Sequence, residues 1–128
     1  MPKVVLQLVA GEFAIGRLPP TEPVPAWAGS TVFSSVTRTA DELSIICPAS
    51  QVPAGIKAEH GWRMLRFAGP MDFGAVGIMV SVAGPLAVAG ISLLAVGTFD
   101  TDYVLVKADR LADAIRALEA AGHTVGRD

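Results

Sequence analysis

The segment GTFDTD contains side chains that could bind a ligand. Asp100 and Asp102 stand two positions apart in it, and Thr98 precedes them. Carboxylates bind cationic groups, and a threonine hydroxyl both donates and accepts hydrogen bonds. The same residue types are also common in turns between strands, where they bond to nearby backbone. The sequence therefore leaves a binding turn and an ordinary turn as two open interpretations.

An uncharged run lies between Asp72 and Asp100 and contains two further residues of interest. Gly90 would either end a helix as its C-cap or let backbone approach a ligand closely. Ser92 offers a short hydroxyl to a ligand or to a neighbouring strand. Asp72 is predicted to be the N-cap of the helix that follows it, or alternatively a ligand contact.

The uncharged run from Phe73 to Phe99 is longer than the about 20 apolar residues of a transmembrane helix. It is interrupted by glycines and by Pro85, which is expected to kink or restart a helix near Gly84. Neither end has the Lys or Arg residues that anchor membrane segments. We therefore predict a helix, a strand and a turn within this run, and no membrane span.

Composition limits the function further. The chain has 128 residues, of which 52% are hydrophobic and 17% are charged, so it is expected to bury surface against a partner such as a second copy. The net charge is -2 and the basic residues form no stripe, which argues against nucleic acid binding. Cys47 is the only cysteine, which predicts a small buried side chain, no intrachain disulfide and a cytoplasmic location.

The sequence contains no residue pattern that is typical of a metal site, a catalytic nucleophile or a dinucleotide site. His60 and His123 stand at no metal-ligand spacing with Cys47 or a carboxylate, so no metal site is predicted. There is no nucleophile elbow and no GxGxxG fingerprint, so neither a catalytic serine nor a dinucleotide cofactor is expected. An enzyme using the paired aspartates is a third hypothesis, which lacks a partner base.

The second half of the chain predicts a regular order of elements. The helix in the uncharged run has a proposed buried face that includes Val80, Leu86 and Ala87, and Gly122 is expected to close the last helix. The full order is a strand at Arg63–Phe67, this helix, strands at Ile91–Val96 and Tyr103–Val106, a helix at Asp109–Ala121 and a strand at His123–Val125. This is the split βαβ arrangement, with helices on one face of an antiparallel sheet.

The first half predicts a shorter version of the same plan. Its expected elements are strands at Val4–Leu8 and Glu12–Arg17 around Gly11, at most a short helical turn around Trp27, and strands FSSVTR and LSIIC. If Glu42 is aligned with Asp102, LSIIC falls on YVLVK at an offset of 60 residues. We interpret this as an internal duplication with domains at residues 1–61 and 62–128.

In this order of elements the chain resembles the ACT domains, which are small amino-acid-binding regulatory modules. The resemblance is carried by the segments GPLAVAGISLLAVGTFDTDYVLVKADRLADAIRALEAAGH and DELSIICP. The resemblance runs closest to the tandem branch that includes the cytosolic arginine sensors of animals and their short bacterial relatives. It implies an α+β fold of tandem ferredoxin-like βαββαβ domains, the first with shortened helices. It also implies a binding or sensing protein without catalytic activity.

The resemblance places a ligand at Asp72 and its neighbours, at Ala89–Ser92 and at the turn that follows. The implied contacts are Asp72, Gly90, Ile91, Ser92, Thr98, Phe99 and Asp100. A free amino acid would need backbone N–H groups for its carboxylate and a carboxylate, from Asp100 or Asp102, for its ammonium.

The expected partners are an amino acid or similar small metabolite, a second copy in a homodimer formed through sheet edges or helix faces, and a regulated protein that the sequence does not identify. The alternative is a ferredoxin-like oligomerisation or protein-interaction module with a vestigial pocket.

Overall fold

The computed structural model describes residues 2–68 and 77–127. The chain forms an α+β fold, as predicted. The strands are β1 (Val5–Leu18), β2 (Ser35–Arg38), β3 (Leu43–Pro48), β4 (Lys57–Phe67), β5 (Leu94–Gly97), β6 (Asp102–Lys107) and β7 (Thr124–Gly126). The helices are α1 (Ile78–Val88) and α2 (Leu111–Ala120), and single 3-10 turns occupy Ala26–Ala28, Ala49–Gln51 and Ala108–Arg110. No helix in these two ranges is long and apolar enough to cross a membrane.

The chain divides into two compact units, and β1 and β4 contribute to both. The larger unit contains Met1–Ala10 and Arg63–Asp128, and the smaller unit contains Gly11–Trp62. Strands follow the order β7-β1-β4-β6-β5 in the larger unit and β2-β3-β1-β4 in the smaller. The first part of β1 thus belongs to the same unit as the second half of the chain. The division into domains at residues 1–61 and 62–128 stays a prediction. β5 pairs with β6, and β3 with β1 and β2, in antiparallel fashion.

The core of the larger unit lies between its sheet and both helices. Val82 and Leu86 of α1 share one cluster with Ala114, Ile115 and Leu118 of α2. The strands add alternate residues to this cluster, namely Val4, Leu6, Leu65, Phe67, Val104, Val106 and Val125. A strand presents every second side chain to the same face. The shared cluster therefore places both helices on one face of the sheet, which confirms the predicted fold class.

Helix α1 differs from its prediction at its start and in its buried face. It begins at Ile78, and its N-cap is Gly77 in the left-handed conformation with a φ of 82°. Asp72 lies outside the described residues, and a cap at that position would have started the helix earlier. The predicted buried face was correct at Leu86, which is buried, and wrong at Val80 and Ala87, which are exposed, whereas Ser81 and Val82 are buried in their place. With no charged residue in α1, helical spacing could not distinguish its faces.

Pro85 lies inside α1, and the helix continues through it. Proline has no N–H, so the carbonyl of Ser81, four residues earlier, loses its usual helical partner. The His123 imidazole supplies a replacement, with Nε2 2.7 Å from the Ser81 oxygen. The helix does not restart near Gly84, because α1 runs without a break from Ile78 to Val88.

The two helices end in the same way. After α1, Gly90 N–H donates to Ala87 O and Ile91 N–H donates to Leu86 O. After α2, Gly122 and His123 make the equivalent bonds to Glu119 and Leu118. Both glycines have positive φ, 74° and 97°, as this Schellman motif requires. The predicted C-caps are confirmed, and β5 begins at Leu94, later than predicted, because Ile91 serves the cap and the core.

The two predicted N-terminal strands form the single strand β1, whose second part, from Gly11, belongs to the smaller unit. Gly11 has a φ of 88° but does not interrupt it. The unit's core consists of Ala28, Leu43, Ile45 and Cys47, with Leu18, Trp27 and Val52 packed against them. The helical segments predicted to be short are single 3-10 turns at Ala26–Ala28 and Ala49–Gln51.

Two hairpins repeat along the chain at an offset of 59 residues. Ser35 pairs with Ile46 in the first, and Leu94 pairs with Leu105 in the second. The strand bounds and the 3-10 turns Ala49–Gln51 and Ala108–Arg110 obey the same offset. The predicted offset of 60 was wrong. An offset of 60 would align Ile45, a core residue of the smaller unit, with Leu105, which is not part of the cluster that α1 and α2 share with the sheet. A shift of one residue exchanges the two faces of a strand, so the two residues would point to opposite faces.

Burial of Cys47 gives the first testable prediction. The side chain is fully buried, as predicted, and desolvation raises the pKa of its thiol. Less thiolate is then present near pH 8 than in an exposed cysteine. We expect iodoacetamide to react about 100-fold more slowly with the native chain than with the urea-unfolded chain, because reaction requires opening of the structure. Mass spectrometry would measure both rates.

The control is a Cys47→Ala, Thr21→Cys variant, whose thiol would replace an exposed side chain. Its alkylation should be nearly the same with and without urea. Similar native and unfolded rates for Cys47 itself would contradict the described burial.

Candidate functional site

The predicted ligand residues form two groups at the two ends of β5. Gly90, Ile91 and Ser92 precede the strand, and the turn from Thr98 to Asp100 follows it, with Asp102 starting β6. Four strand residues span about 13 Å. The structure therefore separates the two groups by more than the distance between the ammonium and the carboxylate of an amino acid. Asp72 lies outside the described residues, and the assignment of a ligand to this set stays a prediction.

The group before β5 is built on the end of α1. Ile91 is 4% exposed and packs in the core, so only its backbone is available to a ligand. Ser92 is exposed, and within residues 2–68 and 77–127 its hydroxyl makes no hydrogen bond. A side chain added at Gly90 would meet no atom within 4 Å, so the positive φ is the reason for glycine there.

Arg110 joins this group and was missed by the sequence analysis. Its guanidinium nitrogens lie 3.4 Å from Gly90 O and 3.5 Å from Ala89 O, and its Nε lies 3.4 Å from Asp113 Oδ2. A guanidinium can bind a carboxylate through two parallel hydrogen bonds. The helical pattern assigned Arg110 only to an exposed face of α2. Its position just before that helix was the one signal that could have identified it as part of this group.

The group after β5 is a turn fixed by two threonines. Thr98 N–H donates to Thr101 O at 2.8 Å, and Thr101 N–H donates to Thr98 Oγ1 at 3.2 Å. Phe99 and Asp100, between them, are exposed. In the part of the chain that the structure describes, the Asp100 carboxylate has no hydrogen bond or ion pair. The turn therefore presents one aromatic ring and one carboxylate to solvent.

Thr101 attaches this turn to the sheet and was also missed. It is 7% exposed, and its Oγ1 donates to Phe67 O at 2.7 Å. Phe67 is the last residue of β4. The spacing of Thr98 and Thr101, three residues apart, is the signal that could have identified it.

Asp102 constrains the other end of the turn. It pairs with Gly97 across the hairpin. A Cβ at Gly97 would lie 3.2 Å from Asp102 Oδ1, closer than ordinary contact, so glycine leaves room for the carboxylate. Among the described residues, no group of three His, Cys, Asp or Glu side chains could hold a metal ion.

The Thr101 hydroxyl provides a second prediction. Thr101→Val keeps the shape of the side chain but leaves the Phe67 carbonyl without its hydroxyl donor. We expect the free energy of unfolding to fall by about 1–3 kcal/mol, measured by urea denaturation. Thr37→Val, at an exposed position of β2, should change it by less than about 0.5 kcal/mol. Equal effects of the two substitutions would contradict an anchoring role for Thr101.

Known proteins resemble this chain over most of its length. A crystal structure of a protein from Agobacterium tumefaciens is 38% identical, with a TM-score of 0.95, and the match covers 100% of this chain and 96% of that one. The mouse cytosolic arginine sensor for mTORC1 subunit 1 is 31% identical over 103 residues, covering 79% of this chain and 31% of the sensor. This chain thus spans less than a third of the length of the curated relatives that it matches.

The regulatory subunit of aspartate kinase from Thermus thermophilus is similar in fold. Its TM-score is 0.61 at 13% identity, over 91% of this chain and 97% of the subunit. A sequence profile of an N-terminal domain matches residues 11–55, and the profile of the ACT domain matches residues 57–120, half of the chain. The chain therefore belongs to the ACT domain family.

Proposed function

We propose that this protein binds a free amino acid and regulates another protein, without catalysing a reaction itself. The observation that carries the proposal is the 31% identity to a cytosolic arginine sensor over 103 residues. The proposal adds a cytoplasmic location, as for that sensor, and a regulated partner protein. It leaves the choice of amino acid open, because selectivity depends on the walls of the pocket.

The turn after β5 supports the proposal through its exposed carboxylate. Asp100 lies between two threonines whose hydrogen bonds fix the backbone, so its carboxylate could bind an ammonium without ordering a loop. Ser92 and Arg110, at the other end of β5, are suited to a carboxylate. A ligand with an extended side chain, or two copies of the chain side by side, would bring both groups to one molecule.

Exposed apolar side chains support a homodimer. Val88 is 92% exposed and Phe99 is 82% exposed, and with Val80 they lie in the uncharged segment. β5 is the last strand of its sheet and has no charged residue to protect its edge. We propose that α1 and β5 form the dimer interface. The same observation favours the second candidate function, an oligomerisation module with a vestigial pocket.

A thermal-unfolding screen against the twenty amino acids separates the two functions. An amino acid at 100 times its Kd stabilises the native state by about 2.7 kcal/mol, which raises the Tm by several degrees. We expect one or a few amino acids to do so, and Asp100→Asn to reduce the shift because it removes the carboxylate that binds the ammonium at this turn. Ser92→Ala should weaken it if the group before β5 takes part.

Matched controls remove the same chemical groups elsewhere. Glu119→Gln removes an exposed carboxylate from α2, and Ser50→Ala removes an exposed hydroxyl from the smaller unit. Both variants should keep the full shift. If no amino acid changes the Tm at about 10 mM, the sensing proposal fails and the oligomerisation module is favoured.

The dimer has its own test. Light scattering after size exclusion should give twice the chain mass for the natural sequence. Val88→Asp should give a single chain mass, because it buries an unpaired charge in the interface. Val32→Asp, at a position 61% exposed in the smaller unit, is the control and should remain dimeric. A single chain mass for the natural sequence would refute the dimer.

A further inference from the structure

The smaller unit contains a groove that the proposed function does not use. It has a volume of about 330 Å³ and lies over three neighbouring strands, β3, β1 and β4. Its lining residues are Ile15, Gly16, Arg17, Glu42, Ser44, Lys57, Ala58 and Glu59. Arg17 pairs with Ser44, one position away from the core residues Leu43 and Ile45. Because neighbouring strand residues point to opposite faces, these two side chains lie on the face opposite that core.

The groove combines both signs of charge with a hydroxyl. Arg17 and Lys57 are cationic, and Glu42 and Glu59 are anionic. Within the described ranges, neither the Lys57 ammonium nor the Glu42 carboxylate takes part in an ion pair or hydrogen bond. The Lys57 ammonium and the Glu42 carboxylate therefore remain available to a ligand that carries both signs.

Backbone hydrogen bonds hold two of these residues in place. The Arg17 guanidinium donates to Asp41 O at 2.9 Å. Thr39 N–H donates to Glu42 O at 2.9 Å, and Thr39 Oγ1 accepts from Glu42 N–H at 3.2 Å. The turn that presents Glu42 is therefore fixed before a ligand arrives, which lowers the entropy cost of binding.

The same turn occurs at the 59-residue offset in the larger unit. The bonds between Thr39 and Glu42 are repeated between Thr98 and Thr101, with the same donors and acceptors. The groove thus adjoins the counterpart of the turn that carries Asp100. The likeness of the two turns bears on ligand binding only through the proposed function, whereas the charges of the groove do not depend on it.

We propose that the groove is a second binding site, and that it takes a small zwitterion such as a free amino acid. The ligand's carboxylate faces Lys57 and Arg17, and its ammonium faces Glu42. A simple anion would be repelled by the two glutamates, and a simple cation by the two basic side chains. Ser44 adds a hydroxyl donor and acceptor, and Ile15 adds apolar contact.

Two-dimensional 1H–15N NMR of the full chain tests the site. Each of the twenty amino acids is added singly, up to about 10 mM. We expect at least one to shift the amide signals of Ser44, Lys57 and Ala58 in a saturable manner. Lys57→Met and Glu42→Gln should each weaken that binding about tenfold, because each removes one of the charges that face the ligand. Glu22→Gln, an exposed carboxylate elsewhere in the smaller unit, should leave it unchanged.

Derivatives of the amino acid that binds test the need for both charges. Its N-acetyl form lacks the ammonium and its amide lacks the carboxylate, so both should bind about tenfold more weakly or not at all. Equal binding of either derivative would overturn the zwitterion assignment. Absence of saturable shifts at these amides for all twenty amino acids would overturn the site itself.

Asp100→Asn separates this proposal from the proposed function. The substitution should abolish shifts at the turn from Thr98 to Asp102 and leave those at Ser44, Lys57 and Ala58 intact. Saturable shifts at that turn alone would overturn the second site and retain the proposed function. Saturable shifts in the groove alone would retain the second site and overturn the assignment of a ligand to the turn after β5.

Discussion

The imidazole of His123 connects three elements of the larger unit through two hydrogen bonds. Val4 N–H donates to Nδ1 at 3.0 Å, so Nε2 carries the proton that is donated to Ser81 O. His123 is buried, with 5% of its surface exposed. Because Pro85 leaves the Ser81 carbonyl free, the proline and the histidine form one arrangement. It fixes α1 against the strand pair β1 and β7, and hence the direction in which α1 leads to β5.

The repeated hairpins carry the local structure on which both ligand proposals depend. Each has the same strand pairing, and each turn is closed by the same pair of hydrogen bonds to a threonine, Thr39 or Thr98. At the 59-residue offset Asp41 corresponds to Asp100, and both are exposed, whereas Glu42 corresponds to Thr101. The position that lines the groove in the smaller unit is therefore the one that anchors the turn to β4 in the larger unit. The two copies differ most in their helices, because prolines in PASQVPAG limit the smaller unit to a 3-10 turn after β3.

Sequence patterns predicted those elements whose two faces differ in polarity. In α2, Ala114, Ile115 and Leu118 alternate with charged residues at helical spacing. The glycine after α2 marks the position at which the helix ends. In α1 every face is uncharged, so the buried side could not be deduced. The pairing of β1 with β7 also could not be deduced, because it joins residues from the two ends of the chain. Thr101 and Arg110 belong to the candidate site through contacts with distant backbone, and composition alone carries no sign of such contacts.

Pairing of β1 with β7 has a consequence for the order of folding. Val4 and His123 are separated by 119 residues, so this bond of the larger unit forms only after the segment up to His123 has been made. The smaller unit is one continuous segment, Gly11–Trp62, and its hairpin joins residues close in sequence. Contacts between near residues form faster than contacts that close long loops. During synthesis, the smaller unit is therefore expected to form first. β1 pairs with its parallel neighbour β7 only after β7 has been synthesised.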